Sequence, residues 1–488
     1  MEVMHQTELL MVLVADGMTP LRDQICEQIS RQIASRQLRS GQRLPSCRRL
    51  SKSLGIGKNT VIAAYNLLVQ DGLIVTREKS GYFVADTTER APELRSADPV
   101  HRIGIFDAFP LPSLPSASPI ILRPANWQDF PFPFVCNQLD RDEFPLPSWR
   151  KCGYEALGWS HSSVATSDHM YGDYDALAAQ ILARLLPRRG IQASEEELLI
   201  VAGAQHAIYI TAELLSFSGR KIAMEDPGYP DARNIFAHLF GSVASVRVDS
   251  EGLVADAIPA DARAVYVTPN QQFPLGFAMS RARRKQLLEI AGRRDIVVIE
   301  DDYDAAIDLS YRPQPALLSQ AGRTNVIYVG SLSKSIAPGV RLGFLVGPKE
   351  FIHEARALRG MMVRHAPPLL QIMTAQFLKL GHYDSRLQKL RAIYQTRLQV
   401  LDEALQEHLP RSIRWPSGAG STALVQLPGV DARRVEAMAT SKGVVIDALA
   451  PCYSSVNCPS DLLRLGVSAI ATNRINRGVR MIAELVRG

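Results

Sequence analysis

The sequence predicts a large α/β domain with a mostly parallel sheet, preceded by a small, basic, mainly helical module. Two observations carry this. From about Phe134 onward, apolar strand-like runs (LLIVAG, KIAME, AVYVTP, IVVIEDD, NVIYVGSLS) alternate with longer helical patterns. That is the order of βαβ units whose sheet is covered on both faces. Charge is also uneven: Gly17 to Ala85 holds 11 Lys+Arg against 4 Asp+Glu, a net of +7 in a chain totalling +6, so the remainder sums to about −1. A basic module on a nearly neutral body is expected where one domain alone meets phosphates; a solvated basic surface is the plainer reading.

A chain of 488 residues is expected to hold two or three domains, and 46% hydrophobic with 21% charged residues suits a soluble protein with a sizeable core. No run of 18 apolar residues predicts a membrane span. The opening MEVMHQTELLMVLVADGM lacks a basic n-region, so it does not read as a signal peptide. Cys26, Cys47, Cys136, Cys152, Cys452 and Cys458 form no CxxC pair. They read as reduced thiols of a cytoplasmic protein, with neither a zinc site nor a disulfide framework. Residues 86–133 are rich in Pro and Ser, with FPLPSLPSASP at Phe109 to Pro119, and read as a linker. The predicted domains are therefore 15–85 and 134–488.

In the basic module, Ile25, Ile29 and Ile33 recur at helical spacing. Ser46 is placed to cap a second helix carrying Arg48 and Arg49, and Gly55 breaks it. A third helix opens near Gly57 or Lys58, burying Val61, Tyr65 and Leu68 and leaving Lys58, Asn59 and Thr60 exposed at its start. DGLIVTREKSGYFVA then reads as two strands joined around Lys79 to Gly81. This is the order of a winged helix-turn-helix, whose third helix enters the major groove; a helical cap on an enzyme is the plainer reading. LPSCRRLSKSLGIGKNTV…DGLI…GYFV closely resembles the GntR-family DNA-binding domain. The resemblance implies that Arg48, Lys58, Asn59 and Thr60 contact DNA, with Lys79 and Gly81 at the wing tip. Ile62 stands where many members carry an arginine.

In the large domain, GSLSKSIAPGVRLGFLVG sets Ser331 and Ser333 just before Lys334, and Arg341 seven residues after it. A lysine on an apolar loop needs a partner, and a Schiff base with an aldehyde supplies one. The hydroxyls and the arginine suit a phosphate; a paired surface lysine is the plainer reading. Upstream, VVIEDDYDAAI ends an apolar strand in acids, where open α/β sheets bind ligands; a metal site or a solvated turn is the alternative. VAGAQHAIYI is a strand, a small-residue turn and a helix, suited to a phosphate. EDPGYPDARN offers Tyr229 for stacking, VTPNQQFPLG is a further strand-end loop, and LLRLGVSAI carries Arg464 on an apolar stretch. That charge would have its reason in a ligand carboxylate.

Together and in this order these segments resemble the fold-type I aminotransferases, and their union with a GntR-like module resembles the MocR/GabR family. The resemblance implies a domain with a small C-terminal α+β subdomain, a homodimer with domain exchange, and pyridoxal 5′-phosphate (PLP) as cofactor. It implies that Lys334 forms the Schiff base, Asp301 pairs with the pyridine nitrogen, Tyr303 bonds the ring hydroxyl and Tyr229 stacks on the ring. Ala204, Gln205, Ser331, Ser333 and Arg341 would cradle the phosphate, Tyr171 would reach the phosphate of the neighbouring subunit, and Arg464 would bind the ligand carboxylate. FPLG (Phe273 to Gly276) stands where aminotransferases have NPTG. The asparagine that bonds the ring hydroxyl is missing there, and Asn270, Gln271 and Gln272 are the candidates to substitute. This departure favours sensing over turnover. The reading is a transcription regulator that senses an amino compound, or PLP itself, and binds an operator of repeated half-sites. An aminotransferase with an appended helical domain is the alternative.

Overall fold

The computed structural model describes residues 11, 13, 20–35, 37–77, 80–86, 115–168, 172–216, 221–307, 309, 314–320, 325–415, 420–454 and 458–487. Lys79 and Tyr171 lie outside the described residues. The chain divides into two compact units, Met1–Pro110 and Leu111–Gly488.

In the first unit, helices α1 (Leu21–Ala34), α2 (Cys47–Leu54) and α3 (Lys58–Gln70) precede a hairpin of β1 (Ile74–Arg77) and β2 (Gly81–Val84). Ser46 caps α2 by accepting from the Arg49 N–H at 3.3 Å, and Gly55 ends it in a left-handed conformation. Val61, Tyr65 and Leu68 on α3 pack against Ile25 and Ile29 of α1, all five fully buried. Tyr65 keeps its hydroxyl satisfied by donating to the Pro45 carbonyl at 3.0 Å, and its ring meets Tyr82 of the hairpin edge-on at 4.8 Å. The hairpin register runs from Ile74 opposite Val84 to Arg77 opposite Gly81. This is the winged helix-turn-helix that the spacing predicts.

The second unit opens with β3 (Phe132–Phe134) and is built on an eight-stranded sheet. Its strands are β4 (Leu198–Val201), β5 (Lys221–Asp226), β6 (Val243–Asp249), β7 (Gly252–Leu253), β8 (Ala262–Val267), β9 (Val297–Asp302), β10 (Val326–Ser331) and β11 (Gly343–Val346). The order across the sheet is β4-β11-β10-β9-β8-β5-β6-β7. The run β10, β9, β8, β5, β6 is parallel, while β11 lies antiparallel between β10 and β4. Gly343 pairs with Ser331 on one side and Val201 on the other.

The continuous apolar runs reflect helices on both faces. Leu199, Met224, Tyr266, Ile299 and Val329 pack with Ala207, Phe236 and Ile352 from helices Ala204–Ser216, Pro230–Phe240 and Lys349–Val363. Ile200, Val265, Val298 and Tyr328 face Leu287, Phe377 and Leu387 on the other side.

A smaller C-terminal subdomain joins β12 (Ile413–Arg414), β13 (Thr422–Gln426) and β15 (Leu462–Gly466) in an antiparallel sheet. Beside it β14 (Val444–Ile446) pairs in parallel with β3. This pairing draws the end of the Pro/Ser-rich stretch into the second unit. Arg123 is anchored there too, donating to Asp447 at 2.5 and 2.6 Å and to the Cys136 carbonyl at 3.0 Å. Residues 115–133 are thus better described as an arm of the second unit than as linker. All six cysteines are free, and no described helix is long and apolar enough to cross a membrane.

Candidate functional site

The C-terminal ends of the parallel strands and the loops after them enclose a cavity of about 330 Å³. Ala204, Gln205, Tyr229, Asp301, Tyr303, Ser331, Ser333, Lys334 and Arg341 line it together. Sequence positions 137 residues apart at the extremes therefore converge because each lies at the end of, or after, a strand of one sheet.

Lys334 sits in the turn after β10 with its Nζ buried and making no hydrogen bond. The nearest carboxylate is Asp304, at 3.9 Å, and the ring centroid of Tyr303 lies at 3.6 Å. Burial pushes its pKa below the usual lysine range, against the opposing charge of Asp304. A larger fraction of this amine is therefore neutral, and nucleophilic, at moderate pH than for a surface lysine.

The acids at the end of β9 separate into three distinct roles. Glu300 accepts from the backbone N–H groups of Leu317 and Leu318 at 2.8 and 3.0 Å. Asp302 accepts from Arg189 at 2.8 Å, Tyr328 at 2.8 Å and Asn270 at 2.6 Å. Asp301 alone of the three turns to the cavity, its Oδ2 accepting from Tyr266 at 2.5 Å and its buried Oδ1 left without a partner. Burial raises its pKa to about 6, while the Tyr266 bond and the Lys334 charge pull the other way.

The opposite end of the cavity is a cradle for an anion. Gly203 at φ +90° turns the chain from β4 into the helix Ala204–Ser216, whose first N–H groups have no intrahelical acceptor. A Cβ on Gly203 would come within 3.1 Å of Arg341 Nη2, so a side chain here would crowd the guanidinium as well as strain the backbone. Ser333 contributes a buried hydroxyl with no hydrogen bond, and its N–H donates to Ser331 Oγ at 3.3 Å.

Arg464 is buried on β15, with Nε and Nη1 unbonded. It does not itself line the cavity but lies over the Phe273 ring, 4.4 Å from the centroid, and Phe273 is the wall between. None of the three amides before Phe273 lines the cavity. Asn270 is held by Asp302 and by Arg284 at 2.7 Å, and Gln272 bonds the carbonyls of Pro227 and Phe273 and the N–H of Leu275. Gln271 lies against Gly420.

Several contributors escaped the sequence reading, Gln138 and Pro338 of the cavity wall among them. Tyr266 bonds Asp301, and Arg123, Asn137 and Ile121 line the cavity. The arm that carries Ile121 and Arg123 crosses the cavity, tied at Pro119 to Asn234 at 2.9 Å and at Arg123 to Asp447. Asn137 at φ +60° was the one local signal available, an asparagine being among the residues that tolerate this conformation. Tyr171 lies outside the described residues; the neighbouring Asp173 is fixed by Arg356 at 2.8 Å and by Arg359.

In the first unit, Arg48, Lys58 and Asn59 are exposed and Thr60 half-exposed, with the N–H groups of α3 opening at Gly57. Gly81 stands at φ +104° beside the wing turn, where a Cβ would lie 3.9 Å from the Arg43 guanidinium. Exposed cations at a helix N-terminus suit a polyanion.

Residues 21–84 match the gntR family of bacterial regulatory proteins, and residues 134–482 match the aminotransferase class I and II family. The chain is 34% identical over 478 residues to the HTH-type transcriptional regulator TauR of Rhodobacter capsulatus, covering 97% of this chain and 98% of that one. It is 29% identical to the probable rhizopine catabolism regulatory protein MocR of Rhizobium meliloti, over 82% of this chain and 80% of the other. An archaeal alanine:glyoxylate aminotransferase superposes with a TM-score of 0.68 at 23% identity, covering 73% of this chain and 90% of that one.

Proposed function

Because this chain belongs to the MocR-type transcriptional regulators, in which a gntR-family DNA-binding module is joined to a domain of aminotransferase class I and II, we propose that it controls transcription in response to an amino compound captured by PLP on Lys334. One observation carries the reading: Lys334 Nζ, Asp301 Oδ1, Ser333 Oγ and two nitrogens of Arg464 are all buried without hydrogen bonds around one cavity. Each such group costs roughly 1–3 kcal/mol if it stays unpaired, so the cluster fits a site that is completed by a bound group.

PLP matches the donor set. Its aldehyde would take the Lys334 amine, its phosphate the Gly203–Gln205 turn with Ser331, Ser333 and Arg341, and its pyridinium the bare oxygen of Asp301. When bound, it supplies an electrophilic carbon that exchanges one amine for another. Tyr229 and Tyr303 bound the ring site, and Arg464 selects a carboxylate or a similar anion on the incoming amine. With Phe273 at the wall and the three amides engaged elsewhere, a ring hydroxyl has Tyr303 as its partner from the sequence-derived set. This supports sensing over turnover.

An effector that enters the cavity would meet Ile121 and Arg123, on the arm at the start of the second unit. It can shift the regulator only by its differential affinity for the two states. A homodimer would present two winged helices to repeated half-sites.

The test is a visible absorbance spectrum of the purified protein before and after a panel of amino compounds. A band that shifts for one class of compound without keto product supports the sensor. Loss of the band as keto product accumulates would identify an aminotransferase instead, and no band after adding PLP would remove the cofactor from the reading.

A further inference from the structure

A second cavity of about 460 Å³ shares Ser331 with the first as a wall residue and no other. Leu185, Leu332, Phe344 and Leu387 give it an apolar wall, and Arg188, Arg189 and Arg391 with Asp302 and Asp384 a charged one. Arg189 is 5% exposed; its Nε donates to Asp302, while its Nη2 makes no hydrogen bond. Arg391 donates from Nη2 to the Ala306 carbonyl at 3.3 Å, and its Nε is likewise buried without a bond. Two guanidinium nitrogens buried without acceptors, on arginines that line the cavity, bear a desolvation cost that a bound anion would recover.

The charges around the cavity fix what kind of anion. Asp302 is paired with Arg189, and Asp384 with Arg188 and, at 3.9 Å, with Arg184. Among the described residues no carboxylate pairs with Arg391, so it is the cation left to be neutralised. A dianion would set its second charge against Asp302 or Asp384. We propose that this cavity is a second ligand site, for a small monocarboxylate whose apolar body lies along Leu185, Leu332 and Leu387 and whose carboxylate takes Arg391 and Arg189. The site is independent of the cofactor. It adjoins it, however, because Ser331 is common to both walls and Asp302 follows Asp301 in β9.

Hexanoate titrated into the full-length protein and followed by calorimetry tests this. Wild type is expected to give a saturable isotherm. Arg464→Gln, which alters the carboxylate partner of the first cavity, should leave it within about twofold, and Arg391→Gln should weaken it about tenfold or more, as for loss of one charge-assisted bond. Ala306→Met fills the cavity from a half-buried position and keeps both arginines, so it should abolish binding even if Arg391→Gln fails to fold. Binding that survives Ala306→Met but is lost in Arg464→Gln would put the carboxylate in the first cavity and overturn the proposal. An absence of saturable heat in wild type would mean a water-filled void, and would overturn it equally.

Discussion

Tyr266 on β8 donates to Asp301 Oδ2 on the neighbouring strand at 2.5 Å, leaving Asp301 Oδ1 as the bare oxygen at the cavity wall. The bond both aims the carboxylate and helps to keep it ionised against burial. Tyr266→Phe should therefore raise the Asp301 pKa above about 6 and weaken PLP binding roughly tenfold, the worth of one bond to a charged group. The deficit should be larger at pH 6 than at pH 8. Absorbance titration with PLP at both pH values checks this, and equal affinities would reduce Tyr266 to packing.

Lys334→Ala removes the buried amine that lies 3.9 Å from Asp304. The variant should fold, bind operator and lack the long-wavelength band of lysine-bound pyridoxal. In wild type the rate of PLP capture should rise with pH and level off well below the ordinary lysine pKa, because burial favours the neutral amine. Stopped-flow absorbance measures it; a rise that continues through pH 10 would contradict the depressed pKa.

In the proposed function Arg464 selects by charge. Arg464→Gln should lower the response to amino acids by roughly tenfold to a hundredfold while leaving simple amines of the same size unaffected. Equal losses for both classes, read from the shift of the absorbance band, would mean that the arginine supports Phe273 and nothing more.

Glu225 makes a pH-dependent cost visible. It is fully buried beneath Thr268 and Gln272 with Oε1 unbonded, and burial pushes its pKa to about 8. Between the unfolded value near 4.5 and about 8 the folded state holds the extra proton, so stability from this group falls as pH rises through that window. Glu225→Gln carries no such proton. Its melting temperature relative to wild type should climb by several degrees between pH 5 and pH 9. Parallel melting curves at all pH values would refute the assignment.

Lys58 stands exposed at the start of α3. Lys58→Ala should weaken operator binding and lower the salt slope by about one unit, the loss of one phosphate contact. Fluorescence anisotropy across a salt series gives both numbers.

What was legible in the sequence was whatever is written in consecutive residues. The cap at Ser46, the stripe of Val61, Tyr65 and Leu68, and the strand-turn-helix at Val201 to Ile210 each declare themselves within a few positions. Tyr266 did not, because a tyrosine in AVYV reads as strand, and its acceptor is set by β8 pairing with β9. Arg123 was hidden by its surroundings, since proline and serine mark the stretch as a connection and nothing local names Asp447 as its partner. The amides of Asn270, Gln271 and Gln272 are chemically alike, so only the folded loop could give each its own job.

Gly343 reaches Ser331 with one edge and Val201 with the other. The loop that carries Lys334 and the Gly203 turn of the cradle are thereby gauged apart by two strand spacings, about 4.8 Å each. The segment between β10 and β11 carries Ser333, Lys334 and Arg341, and that separation is fixed at both of its ends. A sheet so arranged works as a fixed jig: it holds the amine of Lys334 and the turn at Gly203 at a constant distance, whatever molecule bridges them.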